Sequence, residues 1–163
     1  MKRRYSLPLV AAIALLATQV QAVMVEVPLE QTADKAVMIV QGTVVDQVSH
    51  WTSDGRTIVT DVTLRIADAI KGAAKAGGYV TFQVEGGEVG EIGIWVEHQP
   101  RFTVDQDVLV FLRPGDGGTL AVQHAELGRY TLFGDKAYDY RGRVQEVTRL
   151  KADIRMMVDR PGR

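Results

Sequence analysis

Residues 56–72, RTIVTDVTLRIADAIKG, constrain the fold more than any other stretch of this chain. Ile58, Thr60, Val62, Leu64 and Ile66 fall on one side of a two-residue repeat, and Val59, Asp61, Thr63 and Arg65 on the other. Successive side chains of a strand point to opposite faces, so this alternation predicts a half-buried antiparallel strand. Asp54-Gly55 ahead of it is a hairpin-type turn signal, and Lys71-Gly72 ends it where the chain must turn again. The strand is long for a soluble sheet, and small barrels bend around long, strongly twisted strands.

The rest of the chain repeats that theme until its last segment. Residues 29–35 predict two turns of helix. Residues 37–48 predict a valine-rich strand, in which Gly42 marks a bulge or sharp bend. Residues 49–55, SHWTSDG, read as the loop into the central strand. Val80, Phe82 and Val84 alternate within 79–85, and Ile92, Ile94 and Val96 restart the pattern beyond a glycine-punctuated stretch. Residues 108–112, VLVFL, form a continuous apolar run, as in a strand buried on both faces. PGDGG at 114–118 is the clearest turn, and two short strands follow at 119–123 and 128–133. The period then changes: Val144, Val147, Leu150, Ile154 and Val158 recur at helical spacing, predicting an amphipathic helix over 144–158 that lies on the sheet. The expected fold class is mainly β, a single OB-like barrel of about five to seven strands with a C-terminal helix.

Residues 1–22 stand apart. Lys2, Arg3 and Arg4 precede an apolar run over 7–17, and Val20-Gln21-Ala22 suits a signal peptidase. The run is shorter than the roughly 20 residues that cross a bilayer as a helix, so a cleaved export signal is expected and no stable membrane anchor. Its removal leaves 141 of the 163 residues and takes the basic count from 19 to 16 against 20 acidic residues, a charge of −4. That balance argues against a nucleic-acid groove, which needs a clustered basic face. The chain has no cysteine, which removes thiol catalysis, thiolate metal sites and disulfides; an exported fold must then rely on packing. The expected location is the periplasm or the exterior.

Few constellations carry chemistry. His50, His98 and His124 stand at no metal-ligand spacing, but each falls near a loop or strand end, so a metal site would require them to converge in space. Ser49 and Ser53 sit in no GxSxG elbow, and neighbours such as Ser49 and His50 on a strand point apart. The carboxylates Asp105, Asp107 and Asp116 lack the alternation of a calcium loop. Gly86-Gly87-Glu88-Val89-Gly90 matches no phosphate-cradling motif, and its glycines suit positive φ or close backbone approach. No cofactor is expected. Trp51 sits among polar neighbours, and Trp95 is out of phase with Ile94 and Val96. Trp95 is therefore either an exposed anchor for a partner or a residue packed under the helix.

Ala33-Asp34 leading into residues 37–44, then Thr60, Val62, Leu64 and Ile66 closing on Lys71-Gly72, is similar to the opening of the netrin-like domain. That is the OB-fold barrel shared with tissue inhibitors of metalloproteinases, and its later strand resembles residues 108–112. The order of Gly86-Gly87, the Pro100–Phe102 pair and VLVFL also resembles a group of exported bacterial proteins of uncharacterised function. The likeness spans roughly residues 33–112 and implies a binding scaffold without catalytic residues. The inhibitors engage a protease's zinc through a disulfide-tethered N-terminal cysteine, whereas this chain, once processed, would begin Val23-Met24-Val25. The resemblance therefore carries over as a fold and not as an inhibitory wedge.

Together these readings predict an exported, non-enzymatic module that binds another exported protein, with a metalloprotease as the most specific candidate. Val23 and its leader, His50, Trp51, Gly86, Gly87 and Trp95 are the candidate partner-binding residues. The alternatives are a small-ligand or glycan binder using the aromatics, or a metal-binding protein using His50, His98 and His124.

Overall fold

The computed structural model describes residues 27–160, so the expected export signal and Val23 lie outside the described residues. Two long strands form the frame, β1 (Met38–Trp51) and β2 (Ile58–Lys71), antiparallel along their whole length. The side of β2 that carries Ile58, Thr60, Val62, Leu64 and Ile66 is buried, as its alternation predicted. β1 runs three residues further than expected: Ser49, His50 and Trp51 pair with Thr60, Val59 and Ile58 and belong to the strand, not to the loop. Residues 52–57 alone make the turn, tied by Thr52 N–H to Thr57 O at 2.9 Å. Gly42 fills the role its position suggested. The β1–β2 register shifts between Gln41 and Gly42, and a Cβ at Gly42 would run into the carbonyl oxygen of Arg65.

Strand β3 (Tyr79–Glu85) pairs with β2 and stacks Phe82 and Val80 opposite Val62 and Leu64. A hairpin of β4 (Gly87–Val89) and β5 (Ile92–Ile94) follows as a separate two-stranded sheet. β6 (Asp107–Pro114) then returns antiparallel to β1, and β7 (Leu120–Val122) pairs with its end. One parallel contact, Gln83 with Ala121, joins β3 to β7. The order β1-β2-β3-β7-β6, with β6 back on β1, makes a partly closed five-stranded ring of OB-like form. The sheet continues beyond the ring. β8 (Arg129–Phe133) pairs with the first half of β6 while β7 pairs with the second, so the sheet forks at Phe111. β9 (Lys136–Tyr138) and β10 (Val144–Glu146) complete eight strands.

The ten strands among the described residues exceed the expected number because β4, β9 and β10 are each only three residues long, too short to show an alternation. One of these corrects the expected helix. Residues 144–146 pair with β9, and the C-terminal helix α2 spans Val147–Val158. Val144 matches the helical spacing but is 53% exposed, because its ladder with Tyr138 holds it extended and out of the helix face.

β6 separates two cores. Val108, Val110 and Leu112 face the ring interior with Val40, Val44, Val62, Leu64 and Phe82. Leu109 and Phe111 face the other way, under the helices, with Ile39, Ala33, Leu150 and Ile154. This double burial is why residues 108–112 are apolar without interruption. The short helix α1 (Leu29–Lys35) packs through Ala33 and the following Ala36, whose small side chains permit close approach. Lys71 Nζ donates to the carbonyls of Ala33 and Asp34 at 2.8 and 3.0 Å and so satisfies the helix C-terminus. Asp68 anchors α2 through Lys151 at 2.5 Å and Arg155 at 2.6 Å.

Candidate functional site

The helices cover one flank of the barrel. A groove of about 620 Å³ opens where the ring is incomplete, between the end of β3, the β4–β5 hairpin and residues 96–102. Beyond Gln83 no ladder joins β3 to β7, and Phe102 fills the gap by packing edge-on against Phe82 at 5.2 Å. The floor is polar. Thr60 is 7% exposed and donates from Oγ1 to Gly86 O at 2.7 Å. Because that hydroxyl proton is committed, Ser49 Oγ must be the donor in its 2.8 Å contact with Thr60 Oγ1. The relay Ser49–Thr60–Gly86 ties β1, β2 and the start of the hairpin together.

Gly87 shows why this corner needs glycine. Its φ is +138°, and a Cβ there would run into Thr60 Oγ1 and Ser49 Oγ. The close backbone approach expected at Gly86-Gly87 is thus present, and it sets the β4–β5 hairpin against the barrel rim. The hairpin in turn carries Trp95 just past β5. Trp95 is 70% exposed, and the Arg101 guanidinium stacks over its ring, 2.9 Å from the centroid. Of the two placements open to Trp95, the exposed one is found, since α2 packs over α1 and the opposite side of β1 and β6.

The structure brings Gly86, Gly87 and Trp95 together along this groove, with Ser49, Thr60, Gln99 and Arg101 beside them. It does not bring His50 or Trp51 there. His50 lies on the outer face of β1, where Nε2 meets Asp61 Oδ2 at 3.2 Å. Trp51 sits at the strand end, opposite Ile58, and does not line the groove. Ser49, facing the groove, therefore has no imidazole from His50 within reach, as expected of strand neighbours.

The three histidines do not converge. His98 approaches Glu126 with Nδ1 to Oε2 at 3.8 Å. His124 Nδ1 contacts Thr32 Oγ1 at 3.2 Å, and its Nε2 contacts Gln123 Nε2 at 2.9 Å. No group of three or more His, Asp and Glu side chains suited to a metal exists among the described residues. The alternative of a metal site built from the three histidines gains no support among the described residues, because the barrel places the three rings on its outer wall, its groove end and its fork. Burial at the fork, with Lys35 and Arg113 adding repulsion, holds His124 below the usual histidine range.

A second hollow of about 400 Å³ adjoins the first and shares Trp95, Val96, Gln99 and Arg101 with it. Its far wall is Arg129 on β8, whose Nη1 donates to the carbonyl oxygen of Arg101, and whose guanidinium lies 5.7 Å from the Phe102 ring. Burial lowers the pKa of Arg129, with Glu126 partly opposing that shift. Sequence reasoning passed over Arg101 and Arg129 as site residues. They are 28 positions apart and unremarkable in spacing, and only the pairing of β8 with β6 sets them side by side.

No protein-family model matches the chain, and no curated protein matches it in sequence. The geometry of the groove must carry the functional reading.

Proposed function

We propose that this chain is an exported, non-enzymatic binding module that receives part of another exported protein in the groove beside Trp95. The observation that carries this reading is the presentation of Trp95: a large aromatic, mostly exposed, held at a groove rim by a stacked arginine rather than free to rotate. Preorganised, exposed Trp and Arg side chains beside a concavity are the side chains that dominate protein interfaces. Ser49 donates to the Thr60 hydroxyl, which is not a general base, so this contact does not activate it as a nucleophile.

The test is affinity capture of exported proteins by the purified chain, followed by the Trp95→Ala variant. The variant should keep its fold and lose the captured partner; undiminished capture would sink the reading. A captured metalloprotease that the pure protein inhibits would support the narrower expectation drawn from the netrin-like resemblance. A second reading rests on the floor of the same groove, where Gln47, Ser49, Thr60 and Gln99 lie beneath an aromatic. That pairing of hydroxyl and amide groups with a ring suits a glycan, and saturable quenching of Trp95 fluorescence by soluble oligosaccharides would favour it.

A further inference from the structure

We infer that the hollow between Arg101 and Arg129 is a carboxylate subsite, which takes an acidic side chain of an extended segment lying in the groove. The inference rests on the binding reading above and specifies the chemistry of what is bound. Three observations lead to it. The two hollows share four wall residues, so a chain laid over the Ser49–Thr60 floor passes Trp95 and ends against Arg129. Neither Arg101 nor Arg129 has a carboxylate within ion-pair distance among the described residues, Glu126 acting on Arg129 only at longer range. And Arg129 Nε is a buried donor with no hydrogen-bond partner among the described residues.

The third observation is the most telling. A buried donor left unmade costs about 1–3 kcal/mol, and more on a charged group, so native structures leave few of them without a reason. Arg129 cannot escape by losing its proton, because guanidinium remains charged at any physiological pH. Its Nη1 is already spent on the Arg101 carbonyl, which fixes the plane of the fork beside the hollow. An incoming carboxylate would supply a counter-charge for both guanidinium groups and, with a small outward turn of the Arg129 side chain, the acceptor that Nε lacks. Gln99 adds a neutral donor to the same wall. The charged lining residues restrict where the charge can go. Glu85 and Glu88 outnumber Arg101 in the other hollow and repel a carboxylate there, whereas here Glu97 and Glu126 are offset by Arg101 and Arg129, with Glu126 turned toward His98. The segment recognised thus carries one acidic side chain at the Arg129 end and uncharged residues along the Ser49 end. A polyacidic stretch does not fit.

The test is a titration of the ¹⁵N-labelled protein, at constant ionic strength, with the acetylated and amidated pentapeptide AAEAA, its isostere AAQAA, and sulfate. AAEAA should move the Arg129 Nε–H and Trp95 indole N–H signals saturably, and AAQAA should bind at least about tenfold more weakly. Arg101→Gln and Arg129→Lys should each remove that tenfold preference. Arg101 is exposed, so Arg101→Gln should keep the fold and a destabilised Arg129 variant does not leave the question open. Equal saturation by sulfate would mean an adventitious ion only, and would overturn the inference, as would no preference for AAEAA over AAQAA. The two readings fail separately. An exported partner captured equally well by the wild type and Arg101→Gln would overturn the carboxylate subsite and leave the binding module standing. A specific AAEAA response with no captured protein would do the reverse.

Discussion

The two flanks of this barrel are finished differently. On the helix side, Ile39, Leu109, Phe111, Leu150 and Ile154 are fully buried, the α1 C-terminus is satisfied by Lys71, and Asp68 pairs with Lys151 and Arg155. On the groove side a tryptophan stands in solvent, and among the described residues two guanidinium groups have no carboxylate within ion-pair distance and a buried donor has no acceptor. The same sheet supports both, so the contrast does not come from a weaker scaffold. Burial and pairing on the first flank stabilise the fold, and the second flank keeps its interactions unfilled. Surfaces that bind are drawn from such incompletely satisfied regions, because satisfied ones have nothing left to offer a partner.

Substitutions should separate the flanks. Phe111→Ala removes a fully buried ring from the helix-side core and should cost about 3–5 kcal/mol in urea unfolding, with partner binding by the folded fraction unchanged. A loss below about 1 kcal/mol would mean that this flank is not the stabilising one. Gly87→Ala lies between the two. It forces a side chain into left-handed backbone against Thr60 and Ser49, and should cost more than about 1 kcal/mol while also displacing the hairpin that carries Trp95. Stability and binding should therefore fall together.

Two carboxylate and imidazole contacts sharpen the comparison through pH. Burial alone would raise the Asp68 pKa, but hydrogen bonds and charge from Lys151 and Arg155 outweigh it and hold the group below the usual carboxylate range. Its contribution is present above the unfolded value of 3.8 and is lost as pH falls through the lower folded value. Asp68→Asn should remove that acid dependence and, since the cluster is partly exposed, cost no more than about 1 kcal/mol near neutrality. His124 is also held low, by burial and by Lys35 and Arg113. The folded state thus resists its protonation, and its contribution is complete above 6.5 and falls as pH drops below that value. Unfolding curves of His124→Gln should lose this slope between neutrality and mild acid; an unchanged slope would place the proton uptake elsewhere. The smallest expected effect on stability is that of Trp95→Ala, within about 0.5 kcal/mol of wild type, together with the largest loss of binding. A substantial fall in melting temperature would show that Trp95 belongs to the fold and not to the free surface.

Much of the ring was legible because strand alternation is a local property. The inward set from Ile58 to Ile66 and the doubly buried VLVFL follow from which faces of a pleated strand meet a core, Gly42 from a backbone too close for a Cβ, and Gly87 from side-chain hydroxyls that leave no room for one. The candidate site was legible in part. Gly86, Gly87 and Trp95 share a groove, but His50 and Trp51 belong to a strand whose length the polar stretch leading into the Asp54-Gly55 turn concealed. The short strands escaped notice for a related reason: three residues contain too little periodicity, and Val144 fitted a helix by spacing alone.

What the amino-acid order determined by itself was therefore the kind of element at each long segment and the face each would bury, since both depend on neighbours two to four positions away. Only the tertiary structure decided that β6 would fork between β7 and β8. That fork brings Arg129 to Arg101, while the single β3–β7 contact leaves the ring open beside Trp95. Such meetings depend on pairings between residues tens of positions apart, which no local periodicity encodes.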